Sequence, residues 1–438
     1  MGFIEEMTWR GLIQQATHPE LLAQHLANPA KTPRRAYAGF DPTANSLTIG
    51  NLVGVIALVR FQLAGHQPVV VMGGGTGLIG DPSGKSAERQ LLTAEQVAAN
   101  VESQRGIFER VWANAAAFSG KPLGAPPIRN NHDWLGKLGY LEVLRDVGKH
   151  FSVNMMIQKD SVKARLTERD QGISYTEFSY MILQAYDYYH LWKSETVTLQ
   201  MGGSDQFGNI VVGADLIDKR ATTESNTPRA FGLTWPLVTK ADGGKFGKTE
   251  TGAIWLSADR TSPYAFYQFW LNSADADVLK FIRIYTLLSK DEVENLERQH
   301  AADPGARPAH RALAKHMTML LHGSAEAEAA EKAAAALFSG EVAGLPEATL
   351  REVFASVPSS DHAKAGLSPG TSVLELLVAT KLAASKREAK EFLAAGSVVI
   401  NGARKAGVED AVTATDLLYG SMILLRRGKK NWHLTRWA

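Results

Sequence analysis

Two lysines three residues apart lie in a polar, glycine-rich stretch of the chain. They occur in Lys245-Phe-Gly-Lys-Thr249, within the run 241–250. Ammonium groups on a loop that can close over a ligand are suited to holding a phosphate chain. The motif predicts polyphosphate binding, although a solvent-exposed loop can have the same composition.

A second candidate phosphate site lies in the sequence Gly39-Phe-Asp-Pro-Thr-Ala-Asn-Ser-Leu-Thr-Ile-Gly-Asn51. It joins a predicted strand to a predicted helix, and a helix N-terminus presents unpaired N–H groups and a positive dipole to an anion. Thr43, Thr48 and Asn51 add neutral donors. An ordinary capped connection explains the same residues, so this segment alone does not decide the function.

Three polar side chains share one face of a predicted helix. Tyr180, Gln184 and Asp187 stand at positions i, i+4 and i+7. A phenol, an amide and a carboxylate in line are suited to a polar ligand that carries an ammonium group. A solvent-facing stripe would show the same pattern.

The run Gly75-Thr-Gly-Leu-Ile-Gly80 matches the dinucleotide pattern G-x-G-x-x-G. A true dinucleotide site continues directly into a helix and has an acidic residue about 20 residues later. Here residues 81–84 read as a turn, and no such acidic residue ends a second strand. A dinucleotide oxidoreductase therefore remains an alternative that rests on these glycines alone, and we expect no nicotinamide binding.

The elements that position these residues form a strand–helix–strand unit. Residues 35–40 read as a strand, 51–63 as a helix that stops before Gly65, and 68–72 as a buried strand. This order predicts a parallel sheet in an α/β domain. Further on, Ser174 and Glu177 fit a capping box that opens a helix to about Tyr189, and 196–201 reads as another strand.

Composition sets the class of protein. The chain has 438 residues, which is enough for two or three domains, and a net charge of +2. It contains no cysteine, so disulfides, thiolate nucleophiles and cysteine-ligated zinc are excluded. No apolar run approaches the roughly 18 residues of a membrane helix, and we expect a cytoplasmic, non-membrane protein. After residue 370, eleven Lys and Arg stand against six Asp and Glu, which suggests a polyanion held at that end, although taken alone the excess is better explained by an ordinary solvated surface.

Together these motifs resemble those of the bacterial tyrosyl-tRNA synthetases, a class I family. Residues 37–47 resemble the tyrosine-binding strand and the approach to the first signature, and 77–84 the segment after the second core strand. Residues 176–187 resemble the family's tyrosine helix, and residues 202–209 resemble its ribose loop. Residues 245–249 are similar to the family's form of the KMSKS signature, and 372–437 to an S4-type RNA-binding domain. The matching segments occur in the family's order.

The resemblance implies roles for individual side chains. Tyr37 and Asp187 would bind the substrate phenol. The implied tyrosine site as a whole is Tyr37, Asp81, Tyr180, Gln184, Asp187 and Gln206, with Asp81, Tyr180 and Gln184 holding the ammonium. ATP binding is implied for Gly39, Asp41, Gly50, Gly203, Asp205, Val238 and Lys248. Catalytic contacts are implied for Thr43, Thr48, Asn51, Lys85, Arg89, Lys245, Lys248 and Thr249, and tRNA binding for Lys386, Arg387, Lys390, Arg404, Lys405, Arg426 and Arg427.

The first signature departs from the family pattern. It usually reads His-Ile-Gly-His, whereas here it is Thr48-Ile-Gly-Asn51, which supplies neutral donors only. Charge-assisted hydrogen bonds are about twice as strong as neutral ones. Ala38 stands where the family often has a cysteine, which removes a minor ribose contact. We expect an active enzyme, with a non-catalytic RNA-binding relative as the alternative. The pair Tyr37 and Asp187 argues against a tryptophan-specific relative.

The expected architecture is a Rossmann-like α/β catalytic domain over 1–235, then the lysine loop and an α-helical domain over 236–338. A linker over 339–370 would precede an S4-like α+β RNA-binding domain over 371–438. The implied reaction activates L-tyrosine with ATP and transfers it to the 3′ end of tRNA(Tyr). Mg²⁺ would accompany ATP, and no protein-bound zinc or other metal ligand is expected. The family implies a homodimer, with residues 149–154 and the helix after them as the candidate interface.

Overall fold

The computed structural model describes residues 1–83, 91–159, 162–163, 166, 172–221, 229–244, 246–249, 252–339, 342, 344–355, 357–405, 407–428 and 431–438. The chain forms two compact units. The first contains Met1–Ser262 and Phe269–Gly323, and the second contains Pro263–Gln268 and Ser324–Ala438. Lys85, Arg89 and Lys245 lie outside the described residues.

The first unit is built on a six-stranded sheet. Its strands are β1 (Gln15–Ala16), β2 (Arg35–Phe40), β3 (Gln67–Met72), β4 (Ile128–Asn130), β5 (Val197–Gly203) and β6 (Phe231–Trp235). They lie in the order β1-β6-β5-β2-β3-β4, and all pair in parallel except β1, which pairs antiparallel with β6. The chain steps outward from β2 to β4 and then returns to β5 on the other side of β2. Ligands bind in such sheets at this switch point, beyond the carboxyl ends of the strands.

The helices that cover this sheet begin with α1 (Phe3–Trp9), α2 (Pro19–His25), α3 (Leu52–Leu63) and α4 (Ala94–Ser119). They continue with α5 (His132–Leu135), α6 (Tyr140–Glu142), α7 (Val153–Met156), α8 (Tyr175–Glu195) and α9 (Phe207–Arg220). Helix α3 joins β2 to β3, so the predicted strand–helix–strand unit is confirmed. It is buried on nearly all sides because it lies between the sheet and neighbouring helices.

Helix α8 is longer than its sequence pattern suggested. The hydroxyl of Ser174 accepts the backbone N–H of Glu177 at 3.2 Å, as a capping box requires at that position. The helix then continues to Glu195, beyond the predicted end near Tyr189, and β5 follows at Val197. The Rossmann-like parallel sheet predicted from sequence is confirmed.

The chain then becomes mainly helical after a short hairpin of β7 (Lys248–Thr249) and β8 (Gly252–Ala253). The helices are α10 (Pro263–Leu271), α11 (Asp275–Tyr285), α12 (Lys290–Ala302), α13 (Pro308–His322) and α14 (Ser324–Ser339). A helical region after the sheet was predicted, but the compact units divide after Gly323 and not after residue 338.

The second unit contains a five-stranded sheet in the order β12-β11-β14-β15-β9. Its elements are α15 (Glu347–Val353), β9 (Ser359–His362), β10 (Thr371–Ser372), α16 (Val373–Ala379), α17 (Lys386–Ala394), β11 (Val398–Ile400), β12 (Ala403–Lys405), β13 (Ala411–Val412), β14 (Met422–Arg427) and β15 (Asn431–Trp437). Along β14, Ile423 and Leu425 pack in one hydrophobic cluster, and Met422 and Leu424 in another. Both faces of the sheet are therefore covered, in an α+β arrangement.

The prediction of a linker over 339–370 is wrong for the residues that the structure describes there. Helix α15 buries Leu350 and Val353 beside Phe354, and β9 pairs in parallel with β15. The glycine, proline and serine content of this region suggested a linker, but the region also contains apolar residues at helical spacing. In the described part of the chain, no helix is both long and apolar enough to span a membrane.

Candidate active site

A cavity of about 320 Å³ opens at the carboxyl ends of β2 and β5, which is the switch point of the sheet. Side chains from six separate segments line it. Thirteen of the residues predicted from sequence are among them: Tyr37, Gly39, Asp41, Thr43, Gly50, Asn51, Asp81, Tyr180, Gln184, Asp187, Gly203, Asp205 and Gln206. The parallel topology thus brings together residues that are up to 169 positions apart in the chain.

Asp187 lines this cavity and is only 4% exposed, and we call the buried part of the cavity around it the closed end. Its Oδ2 accepts a hydrogen bond from Asn131 Nδ2 at 2.9 Å, and its Oδ1 accepts one from Trp134 Nε1 at 2.7 Å. Burial raises the pKa of Asp187 to about 7, and the two hydrogen bonds oppose that shift. The carboxylate is therefore held in one orientation by donors that do not move with solvent.

Tyr37 supplies the second polar group at this end. Its side chain is 2% exposed, and its hydroxyl is buried without a hydrogen-bond partner among the described residues. Burial, and then the neighbouring charge of Asp187, raise the pKa of Tyr37 well above its usual value. A neutral hydroxyl without a partner beside a fixed carboxylate is an arrangement that a ligand hydroxyl can complete.

Three further carboxylates, those of Asp41, Asp81 and Asp205, also line the cavity. Asp41 accepts hydrogen bonds from the Tyr180 hydroxyl at 3.0 Å and from Thr76 Oγ1 at 2.8 Å. Asp81 accepts one from Gln206 Nε2 at 2.7 Å. Together with Asp187 they make the cavity acidic, which favours a ligand that carries a positive group.

The chain directly after β3 passes close to the Asp41 side chain, which explains why residue 73 is a glycine. A Cβ atom at Gly73 would stand 2.1 Å from Asp41 Oδ1 and 2.6 Å from Thr76 Oγ1. Any side chain at this position would displace the Asp41 carboxylate from the Tyr180 hydroxyl. Gly73 therefore belongs to the construction of the site.

The open end of the site is formed by the segment 48–51. Asn51 Oδ1 accepts two hydrogen bonds from Thr48, one from the backbone N–H and one from the hydroxyl, both at 3.0 Å. Both residues are more exposed than Asp187, and only Asn51 lines the cavity. Because its oxygen is occupied by Thr48, the Asn51 amide group is oriented with Nδ2 as its remaining polar atom.

The lysine loop returns to this same segment. Ile49 donates its backbone N–H to the carbonyl of Ile254 at 3.0 Å, and Thr48 forms a β-bridge with Trp255. A Cβ atom at Gly247 would stand 2.4 Å from Ile49 Cγ2, at a backbone φ of +84°. The two predicted signatures are therefore in direct contact. The structure describes the backbone of Lys248 and Thr249, which forms β7, but not their side chains.

The remaining predicted residues fall outside the cavity. Val238 is not among its lining residues, whereas the adjacent Leu237 is. The residues predicted to bind tRNA belong to the second unit. There, Arg404 on β12 and Arg426 on β14 both stand opposite Val399 of β11, while Lys405 and Arg427 both stand opposite Val398.

Sequence reasoning missed four residues that complete the site. They are Asn131 and Trp134, which bind Asp187; Thr76, which binds Asp41; and Asn209, which donates to Gln184 Oε1 at 3.1 Å. Asn131 and Trp134 directly follow β4, at the carboxyl end of a parallel strand. That position was the available signal, but β4 is three residues long and has no apolar run.

Comparison with known proteins identifies the family. Residues 29–339 match the model of class I tRNA synthetases (W and Y), and residues 349–435 match the tyrosine–tRNA ligase SYY-like C-terminal domain. The tyrosine–tRNA ligase of Bacillus caldotenax is 47% identical over 441 residues, and tyrosine–tRNA ligase 1 of Bacillus anthracis is 46% identical over 437 residues. Each alignment covers 100% of both chains.

A solved structure gives the same result. A C-terminally truncated mitochondrial tyrosyl-tRNA synthetase of Aspergillus nidulans is 31% identical, with a TM-score of 0.69 over 77% of this chain and 94% of that one. The chain therefore belongs to the tyrosine–tRNA ligase family of class I tRNA synthetases.

Proposed function

From this membership we propose that the cavity binds L-tyrosine and ATP, forms tyrosyl-adenylate, and supplies the tyrosyl group to the 3′ end of tRNA(Tyr). The family is one of ligases, and its chemistry needs an amino-acid site next to a nucleotide site. The observation that carries the proposal is the fixed carboxylate of Asp187 beside the Tyr37 hydroxyl.

Asp187 and Tyr37 would read the phenol of the substrate. The substrate O–H donates to the Asp187 carboxylate, and its oxygen accepts from the Tyr37 hydroxyl. Phenylalanine would fill nearly the same volume but leave the buried Tyr37 hydroxyl without a partner and give the Asp187 carboxylate no further hydrogen bond beyond those from Asn131 and Trp134. Each such loss costs about 1–3 kcal/mol, so the site selects the hydroxylated ring.

The ammonium of the substrate would lie among the acidic groups in the middle of the cavity. Asp81 and the Tyr180–Asp41 pair offer it acceptors there. Gln184 and Gln206 are oriented by Asn209, which donates to the side-chain oxygen of each, at 3.1 Å and 3.3 Å. We therefore assign Asp81, Tyr180 and Gln184 to the ammonium, with Gln206 near the substrate carboxylate.

Activation then needs no general base. The substrate carboxylate is already ionised at pH 7, and its oxygen attacks the α-phosphorus of ATP while the bond to the β-phosphate oxygen breaks. Catalysis is positioning plus stabilisation of the charge that develops on pyrophosphate. We assign that stabilisation to Thr43, Thr48 and Asn51 and to Lys248 and Thr249. By resemblance we also assign it to Lys85, Arg89 and Lys245, which lie outside the described residues. Gly39, Asp41, Gly50, Gly203, Asp205 and Val238 are assigned to the nucleotide.

Magnesium would arrive with ATP. Of the four carboxylates that line the cavity, Asp41, Asp81 and Asp187 already accept hydrogen bonds from protein side chains. Mg²⁺ keeps several waters and binds substrate phosphates through few protein ligands. We therefore propose that the ion is held mainly by the phosphates of ATP.

Transfer to tRNA would use the basic side chains of the second unit. Arg404 on β12 and Arg426 on β14 stand opposite the same residue of the intervening strand β11, and α17 contributes Lys386, Arg387 and Lys390. A regular array of cations on a small sheet favours recognition of RNA backbone by shape and phosphate. We propose that this surface holds tRNA(Tyr) in the cytoplasm.

We also propose a homodimer, formed through an exposed apolar surface of the first unit. Large apolar side chains are exposed between residues 140 and 175, among them Leu141 at 79% and Val153 at 61%. Tyr140 and Tyr175, at the two ends of this segment, are themselves exposed, at 64% and 61%. Replacing Leu141 with Lys should yield a monomer in sedimentation velocity, whereas an unchanged dimer would exclude this surface.

The decisive test is tyrosine-dependent exchange of pyrophosphate into ATP by the purified protein. We expect exchange that requires tyrosine and Mg²⁺ and that phenylalanine does not support. The neutral first signature, Thr48 and Asn51, favours one competing function, a non-catalytic RNA-binding protein. That alternative predicts binding of tRNA with no exchange at any tyrosine concentration.

A further inference from the structure

Three potential metal ligands meet where three consecutive helices come together, away from the cavity described above. Asp275 is the first residue of α11, His300 lies in the last turn of α12, and His310 lies in the first turn of α13. One ring nitrogen from each histidine and one carboxylate oxygen lie within 4.8 Å of one another. No second group of this kind occurs among the residues that the structure describes.

The hydrogen bonds of His310 define its protonation. Its Nε2 stands 3.1 Å from the carbonyl oxygen of Ser273 and 3.2 Å from Asp275 Oδ1. Both partners are acceptors, so Nε2 carries the proton in this arrangement. The ring is fully buried, and its Nδ1 has no hydrogen-bond partner in the described part of the chain.

His300 also has a ring nitrogen without a hydrogen-bond partner among the described residues. Its side chain is buried, and the nitrogen concerned is Nδ1. The two rings stand edge to face, with centroids 5.4 Å apart. Two adjacent buried imidazoles, each with an unpaired nitrogen, are uncommon in a packed core. A purely structural contact between helices does not need them.

We propose that Asp275, His300 and His310 bind one divalent transition-metal ion, and that Zn²⁺ is the best-fitting member of that class. Two imidazoles and one carboxylate are an N/O ligand set that Zn²⁺ accepts, with a water in the fourth position. Ligand atoms around a tetrahedral Zn²⁺ stand roughly 3.3–3.6 Å apart, so the group must close by about 1 Å. The Asp275 side chain is 78% exposed and can make that movement. Coordination through Nε2 of His310 would require the ring proton to move from Nε2 to Nδ1, so that the imidazole stays neutral.

This site revises the expectation of no protein-bound metal. The lack of cysteine excludes thiolate ligands only, and a histidine–aspartate site needs none. The ion would hold α11 to α12 and α13. Helix α11 in turn supports the base of the lysine loop, because Asp277 accepts the Ala241 N–H at 2.8 Å and Lys280 donates to the carbonyl of Thr239 at 2.9 Å. The metal is therefore structural and stabilises the platform of the loop.

The test uses the full-length protein, freed of metal with a chelator and kept free of Mg²⁺. Titration with Co²⁺ should show one saturable equivalent with the visible absorption of a four-coordinate ion, and Zn²⁺ should displace it. Zn²⁺ should also raise the melting temperature, because it binds the folded state. The proposal is overturned if neither ion shows saturable binding at micromolar concentration.

Two variants locate the site. Asp275→Asn changes an exposed side chain, so the fold is retained, and we expect metal affinity to fall about tenfold or more. His310→Gln should abolish the Co²⁺ absorption. Asp291→Asn, an exposed carboxylate in the first turn of α12, is the matched control and should bind as the unaltered protein does. Unchanged affinity in Asp275→Asn, with unchanged circular dichroism, would refute the assignment.

Discussion

The two ends of the cavity are built in different ways. At the closed end, Asp187 is buried and both its oxygens are fixed by Asn131 and Trp134, which lie on the turn after β4. At the open end, Thr48 is half-buried and Asn51 is exposed, and the two are bonded mainly to each other, next to a glycine-rich loop. On the roles proposed above, the groups that would recognise the substrate are set in the core, while the groups that would act on developing charge lie on more exposed segments.

This difference has a physical reason. Discrimination between two rings depends on unpaired buried groups, and such groups are costly only when water is kept out. Stabilisation of a leaving pyrophosphate depends on contacts that strengthen only in the transition state. The first task requires a rigid, dry end and the second tolerates an open one. Each prediction below separates binding from rate at one of these ends.

Asp187→Ala should have the largest effect on binding. It removes the acceptor of the substrate O–H and leaves Asn131 and Trp134 without their partner. Truncating one member of a buried charged hydrogen-bonded pair costs about 2–5 kcal/mol, or roughly 30- to 5,000-fold in Kd. Equilibrium dialysis of tyrosine measures this loss, and ATP affinity is the internal control. Tyrosine affinity within about twofold of the original value would remove Asp187 from the phenol site.

Lys248→Ala should affect the opposite quantity. If its ammonium group acts only as charge develops on pyrophosphate, the single-turnover rate of adenylate formation should fall about 100-fold or more, while tyrosine affinity stays constant. Lys240→Ala, in the same loop region, is the matched control and should react at the normal rate. An equal rise in the Kd of tyrosine would show that the two ends are not separate.

The sequence predicted the elements whose pattern is local. Strand β2, helix α3 and strand β3 were predicted because each carries its own apolar periodicity and is bounded by glycine or proline. Asp187 and Tyr180 were placed on one helix face for the same reason. The ends of the elements were less certain, as α8 shows, because the αL conformation that terminates it falls on Thr196 and not on a glycine.

Contacts between distant segments could not be predicted in this way. Asn131 and Trp134 reach Asp187 across more than fifty residues, and the short strand before them has no pattern of its own. The hydrogen bonds between Thr48 and Asn51 are local, but they depend on a rotamer that composition does not show. Helix α15 was missed because three apolar residues are too few to outweigh their flexible neighbours.

The pH dependence of tyrosine use should report on the closed end. The pKa of Asp187 is raised to about 7 in the free protein, so the carboxylate is lost as pH falls through that value. Since the ionised form is the better acceptor, kcat/KM for tyrosine should fall up to about tenfold per pH unit below 7 and be level above 8. The bound phenol favours the carboxylate, so kcat itself should change less. A flat kcat/KM between pH 6 and 8 would mean that Asp187 is ionised throughout.

Thr48→Ala should have the smallest effect and tests the open end alone. The substitution removes the hydroxyl that donates to Asn51 Oδ1 but leaves the backbone donor in place. The Asn51 amide is then less firmly oriented. One neutral hydrogen bond contributes about 0.5–1.5 kcal/mol, so the rate of adenylate formation should fall roughly 2- to 10-fold. Thr48→Ser keeps the hydroxyl and should react almost normally. If both variants lose rate equally, the methyl group of Thr48 and not its hydrogen bond orients Asn51. If neither variant loses rate, Thr48 and Asn51 have no part in stabilising the leaving pyrophosphate.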